Sequence, residues 1–254
     1  MKALKRAGVY AAVAAVWLVL WAIPSYLINN ELILPTPIDV FSRLGELLVT
    51  ASFWGSMIKS LLRVLGGVVL ATLLAVLAGA LGSRFKLVRA LLYPFNEVVK
   101  ATPIVSFIFL AYIVFGRSIG LLPVFIVMLI VFPVVYGAVL SALMNVDREL
   151  LEVSAVFGCT GWERLRYLWI PTAMNSFVTA FTTALGLGWK SGIAAEALVA
   201  TPALGGIGSD IAQAKTYIET VDQFAYTLAI IVVSIAIGLI FSAVAKRLQE
   251  KLGA

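Results

Sequence analysis

Histidine is absent from this chain, and cysteine occurs once, at Cys159. An internal disulfide is therefore excluded, and a Cys/His metal site has too few ligands to form. Charge is scarce as well. Only 13% of the 254 residues are Asp, Glu, Lys or Arg, where a soluble domain carries about a quarter. A G-x-x-x-x-G-K-[ST] phosphate loop is missing; Gly188-Trp189-Lys190-Ser191 shares its last letters but lies in an apolar run. The chain thus shows no nucleotide-hydrolysing site of its own. No polar stretch is long enough to bury a separate catalytic core. The basic start Met1–Arg6 and the apolar run behind it lack a small-residue cleavage site, because Trp17, Trp21 and Pro24 lead into Ser25-Tyr26-Leu27-Ile28. This stretch reads as a first span, not as a signal peptide.

What the chain has in excess is hydrophobicity, 62% of its residues. The apolar residues gather in runs: 9–28, 64–81, 104–115, 121–143, 177–189 and 224–244. Four approach the ~20 residues that a helix needs to cross hydrocarbon; the third and fifth draw on small or weakly polar flanks. Backbone groups in lipid must be satisfied within the segment, so the runs predict helices, and the short alternating segments of a membrane barrel are not found. The expected fold is all-α, a polytopic bundle of about six transmembrane helices in one domain, residues 1–254.

Basic residues fix the expected orientation. With both termini inside, the inner segments hold Lys2, Lys5, Arg6, Arg84, Lys86, Arg89, Lys100, Arg148, Arg164, Arg166, Lys246, Arg247 and Lys251, which is 13 of 19. The outer segments hold Arg43, Lys59, Arg117 and Lys215, while Arg63 and Lys190 lie in spans. The positive-inside rule places the termini, residues 83–99 and residues 145–170 in the cytoplasm. The net charge of +6 follows from this bias and calls for no nucleic-acid partner.

The inner stretch 145–171 carries the most local signal. Asp147 is placed as an N-cap with Glu149 in the first turn, where a negative charge suits the helix dipole. Gly158 stands where a helix ends in a left-handed residue. Thr160-Gly161-Trp162-Glu163 reads as a capping box opening a second short helix, with Trp162, Leu165 and Trp169 as its apolar stripe and Pro171 at the start of the next span. Two readings stand: an interfacial helix pair with aromatic anchors, or a docking platform for a cytoplasmic partner.

Glu152-Val153-Ser154-Ala155-Val156-Phe157-Gly158, nine residues, then Leu168-Trp169-Ile170-Pro171, resembles the EAA loop of ABC importer permeases. Glu152, Gly158 and Pro171 match in register; Val153 and Ser154 stand where that family prefers alanines. Leu34-Pro35-Thr36-Pro37, Ser60-Leu61-Leu62-Arg63-Val64, Trp189-Lys190, Ala194-Ala195-Glu196 and Gly206-Ile207-Gly208 are similar to the nitrate/sulfonate/taurine-type branch. The resemblance implies a type I importer permease fold with its core at about 56–245, in the inner membrane of a bacterium. It further implies a second permease copy, two cytoplasmic ATPase subunits that carry ATP and Mg, and an external binding protein that delivers the solute. Under it, Glu152, Val153, Ser154, Ala155, Phe157, Gly158 and Pro171 form the ATPase-coupling element. The chain itself is expected to be no enzyme and to hold no cofactor or metal.

Three charges stand out for the path. A charge at the bilayer centre costs about 2.5–3.5 kcal/mol on insertion scales, so Arg63, Lys190 and Glu196 must face a partner or water. Lys190 and Glu196, six apart, point about 240° away from each other around a helix. Arg63 and Glu196 fit either a packing ion pair or a pathway role; Lys190 fits a pathway that favours an anion. Gly186, Gly188 and Gly192 suit close helix packing, and Pro103, Pro123 and Pro133 are candidate breaks. The solute expected on the branch resemblance is small and anionic, with a heterocyclic vitamin precursor as the alternative. A transporter driven by an ion gradient is the rival class, disfavoured by the lack of an internal repeat.

Overall fold

A computed structural model describes residues 2–201 and 204–252, with side chains described except at 2–7, 10, 11, 117, 148 and 248–252. Met1, Gly253 and Ala254 lie outside the described residues, as does the Pro202-Ala203 pair, which falls in a stretch, 201–208, that the sequence suggests is an outer turn. In chain order the helices are α1 (Lys2–Ile28), α2 (Pro37–Val49), α3 (Ala51–Arg84), α4 (Lys86–Ala101), α5 (Ile104–Phe115), α6 (Leu122–Met144), α7 (Arg148–Val156), α8 (Gly161–Arg164), α9 (Ile170–Leu198), α10 (Ile207–Thr216) and α11 (Thr220–Leu252). Among the described residues there is no strand.

Small residues decide how the central helices meet. On α3, Gly67, Ala71, Ala75 and Gly79 recur at every fourth position and are all buried. That spacing puts them on one face and lets another backbone approach closely. A Cβ added at Gly67 would lie 2.7 Å from the Cβ of Val127, and one at Gly79 2.8 Å from Val139 Cγ1, both on α6. α9 closes the triangle with Gly188 and Gly192; a Cβ at Gly192 would lie 2.6 Å from Val64. These two glycines therefore pack helices, as their spacing suggests, whereas Gly186 faces open space. Val68, Val127, Val131, Ala184 and Trp189 fill the core between the three helices.

Three described helices are long and apolar enough to cross a membrane: Ala51–Arg84, Ser118–Met144 and Thr220–Arg247. α9 has the length, 29 residues, but Thr179, Thr182, Thr183, Lys190 and Glu196 dilute its hydropathy. α1 contributes a shorter apolar helix, Ala12–Ile28, tied to the bundle by Trp21 stacked on Phe224.

The third span differs from expectation. Residues 83–99 do not form an inner loop: α4 and α5 are one broken element, bent by 109° at Thr102-Pro103. Of the three candidate prolines, only Pro103 breaks a helix. Pro123 sits in the first turn of α6, where a missing N–H costs nothing, and Pro133 is carried inside α6 without interruption. The outer segment after α1 also holds more structure than a loop. Thr36 caps α2 by accepting a hydrogen bond from the Asp39 N–H at 3.2 Å, and α3 starts thirteen residues before the apolar run at Val64.

Candidate functional sites at the two ends of the bundle

The inner loop is built by local chemistry. The Asp147 carboxylate accepts from the Glu149 N–H at 2.9 Å and so caps α7. The other end of α7 closes in a Schellman motif: Gly158 N–H donates to Ala155 C=O and Cys159 N–H to Ser154 C=O, each at 3.0 Å. Gly158 makes this possible with φ +66°, a conformation that a residue with a Cβ adopts only under strain. Thr160 and Glu163 then form the capping box in full. The Glu163 carboxylate accepts from Thr160 N–H at 2.7 Å, and Glu163 N–H donates back to the Thr160 hydroxyl at 3.3 Å. The Thr160 backbone bond, aided by its hydroxyl, holds the Glu163 carboxyl below the usual carboxylate range.

The second loop helix is not separate from the next span, contrary to expectation. α8 runs through a π turn, Leu165–Trp169, into α9 as one continuous rod. The wider turn sits just before Pro171, whose ring and missing N–H disfavour the ordinary i→i−4 pattern. Of the expected apolar stripe, Leu165 and Trp169 line a cavity of about 290 Å³ with Val139 and Phe177, while Trp162 stays 68% exposed.

The expected coupling residues divide by surface. Glu152 is exposed and has no hydrogen-bond or ion-pair partner among the described residues. Val153, Val156 and Phe157 are 51%, 86% and 80% exposed. Ser154 is half-buried and donates to Leu151 C=O at 2.7 Å, Ala155 is exposed, and Pro171 is half-buried.

The outer end is the opposite case. Arg63 on α3 meets Glu196 on α9 at 2.8 Å, and Glu196 is 1% exposed. The same guanidinium donates to Gly205 C=O at 2.9 Å and Leu204 C=O at 2.5 Å. The second Glu196 oxygen accepts from the Ser60 hydroxyl at 2.5 Å and Gly208 N–H at 3.3 Å, and the Ser60 oxygen accepts from Ile207 N–H at 2.9 Å. The cluster thus ties α3 and α9 to the first turn of α10. Only glycine fits there. A Cβ at Gly206, φ +105°, would lie 2.7 Å from Glu196 Oε2, and one at Gly208 2.5 Å from Ile193 C=O. α10 consequently starts at Ile207, four residues before the short surface helix that the sequence suggests over Ile211–Thr220. Beside it, burial pushes the Asp210 carboxyl up, against the Ser56 hydroxyl and the Lys59 charge.

Of the three charges singled out for the path, the structure brings Arg63 and Glu196 together as a packing ion pair. Lys190 stays apart, exposed and with no ion-pair partner among the described residues. Ser60 belongs to the cluster although the sequence assigned it no role; its position one turn before Arg63 was the available signal. Arg43 was also passed over. It grips Asp222 side-on, 2.6 and 2.9 Å, and so ties α2 to the start of α11. Hydrogen bonds to Asp222, then to Glu46, raise the Arg43 pKa further above its already high value.

The chain as a whole is similar to known proteins. Residues 67–253 match the family described as the binding-protein-dependent transport system inner membrane component. The chain belongs to that family. The taurine transport system permease of Escherichia coli K12 is 25% identical over 203 residues, 78% of this chain and 72% of that protein. A glycine betaine transport system permease of Bacillus subtilis is 25% identical over 202 residues, 79% of this chain and 70% of that one. A solved bacterial ABC transporter involved in alginate import shares the fold with a TM-score of 0.60 at 17% identity, covering 97% and 98% of the two chains. The chain is therefore a multi-pass membrane permease subunit of an ABC importer, and not an enzyme.

Proposed function

We propose that two copies of this chain enclose the translocation path and that a separate ATPase docks on the turn between α7 and Gly158. The observation that carries the proposal is the exposed apolar surface of Val153, Val156 and Phe157 on a helix whose own ends are already satisfied. Such a knob is rigid without a partner, and its apolar surface has no use in water. ATP and Mg belong to the partner, since the sequence holds no phosphate loop. The loop and both termini face the cytoplasm of a bacterium, in line with the basic residues at 2–6, 164–166 and 246–251. An external binding protein presents the solute.

The solute in this reading is a small anion of the nitrate, sulfonate, taurine or bicarbonate kind. Exposed Lys190 supports that, as does the taurine relative. Lys190→Ala is expected to lower uptake with ATPase binding intact, and Lys190→Arg to be milder. Normal uptake by Lys190→Ala removes the residue from the path.

The coupling claim is tested by Gly158→Val in proteoliposomes holding all subunits. Strain of about 1–2 kcal/mol at that φ disturbs the knob without touching the bundle. Solute-stimulated ATP hydrolysis and uptake are expected to fall together. Wild-type values of both would leave the loop a membrane anchor and nothing more.

A further inference from the structure

We infer that the Glu97–Lys100 pair at the α4–α5 break is a solute-contacting site in the middle of the path, built for a solute that carries both a positive and a negative group. This rests on the permease reading and departs from its simple-anion solutes: of those named there, only taurine carries both groups.

Depth comes first. α4 climbs beside α6. Arg89 meets the Met144 sulfur at the inner end, Phe95 packs edge-on against Phe132, and Ile108 and Ala111 of α5 join Leu122 and Ile126 at the outer end. At ~1.5 Å per residue, Phe132 lies roughly 15 Å from one end of α6 and 18 Å from the other. Glu97 follows Phe95 by two residues, about 3 Å, and sits near the midplane; Lys100, five residues on, lies about 7.5 Å further towards the outer end. The expectation that Lys100 is a cytoplasmic charge fails on this geometry.

Exposure comes second. Lys100 Nζ lies 3.1 Å from Glu97 Oε1, yet the two side chains are 54% and 51% exposed. Lipid does not accept such charges: the Glu97 carboxylate near the midplane is about 15 Å from either interface, beyond its reach, and the ion pair holds Lys100 back on it. The helix break adds an independent constraint. Ala101 and Pro103 are exposed beside it, and Pro103 offers no N–H to the Val99 carbonyl. Broken backbone at this depth stands only against protein or water. Asn96, buried one position before Glu97, leaves its Oδ1 without a partner in the chain. Sealing the pair dry between two copies costs two desolvations, whereas a wet path keeps both ions hydrated.

Chemistry follows from the signs. The pair is neutral, so a bare anion gains Lys100 and is repelled by Glu97. A zwitterion exchanges the internal pair for two external ones. Lys190 lies at the same depth, between Gly188 and Gly192, each of which would place a Cβ near Val127. It adds a second cation for the anionic end.

The test uses the whole transporter with Cys159→Ser and one new cysteine, Lys100→Cys or, leaving the pair intact, Ala101→Cys. A water-soluble methanethiosulfonate reagent is expected to modify both. 2-Aminoethanesulfonate is expected to slow modification at Ala101→Cys at about tenfold lower concentration than ethanesulfonate, one 1.4 kcal/mol contact. Adding Glu97→Gln should erase that difference. No modification, with disulfides forming between copies, makes the pair a dimer contact and overturns the inference. So does modification that neither probe slows, or equal protection by both. Bound ATPase is measured in the same sample. Its absence counts against the permease reading, while the thiol data still decide whether the site is wet.

Discussion

The two ends of the bundle treat their polar and apolar groups in opposite ways. At the outer end, both Glu196 oxygens, the Ser60 hydroxyl and the Arg63 guanidinium are spent on partners within the chain. At the inner end, the backbone of the α7 turn is satisfied, while Phe157 and Val156 stand 80% and 86% exposed and Glu152 has no partner among the described residues. A buried charge leaves no choice, because an unpaired one costs several kcal/mol. An exposed apolar turn on a well-capped helix is tolerated only where something else covers it. The first region therefore holds the fold and the second is available for work. Charge inside a membrane helix does not by itself mark a solute path.

The comparison breaks most visibly at Glu196. Glu196→Ala leaves Arg63 with two carbonyls and no counter-ion, and strips Gly208 N–H of its acceptor. A loss of about 3 kcal/mol is expected, at the low end for one-sided removal of a buried partner. It is read as a lowered Tm of the detergent-solubilised chain. Gly208→Ala should act similarly, since its Cβ meets the Ile193 carbonyl at 2.5 Å. An unchanged Tm in both variants would mean that α10 is held by other contacts and the outer cluster is idle.

Gly158→Val sharpens the same contrast from the other side. Its strain of about 1–2 kcal/mol is confined to a turn outside the bundle. Tm should therefore move less than in Glu196→Ala, while coupled ATP hydrolysis falls more. If the two variants ranked alike in both assays, the division between a structural and a working end would collapse.

How much of this was legible depended on sequence distance. The Asp147 cap, the Thr160–Glu163 box and the left-handed Gly158 each need partners within five residues, and the local spelling declares them. The apolar runs likewise announced the helices. The outer cluster joins residues 136 and 147 positions apart, so the place of Ser60 one turn before Arg63 was its sole local mark and named none of its partners. Gly206 and Gly208 were visible as a motif, but the carboxylate filling the space above them was not. The α4 helix was not foreseen because Lys86, Arg89 and Lys100 read as one basic loop in a charge count, while the fold sets Arg89 beside Met144 and carries Lys100 past the Phe95–Phe132 contact along α6. Pro103 and Pro133 look alike in sequence. Whether a proline breaks its helix depends on what its neighbours can pack against.

The smallest effect concerns the capping box, where the working end supports itself. The Glu163 carboxylate binds Thr160 N–H and hydroxyl, and both hold its pKa below the ordinary value near 4.5. A carboxyl lowered in the folded loop stabilises the loop in its ionised form. That contribution is complete above the unfolded value and is lost as pH falls through the lower folded one. The cap should thus be insensitive to pH from neutrality down to about 5 and fail only in stronger acid. A ¹³C-labelled Glu163 carboxyl, followed by NMR in micelles, should titrate with its midpoint below about 4.3. Glu163→Gln removes this titration but keeps a carbonyl acceptor, so α8 should persist with a weaker cap and no acid transition of its own. A midpoint at or above the ordinary value would show that the box is open in solution. The start of α8 would then be held by the π turn and α9 alone, while the α7 turn keeps its own caps at Asp147 and Gly158.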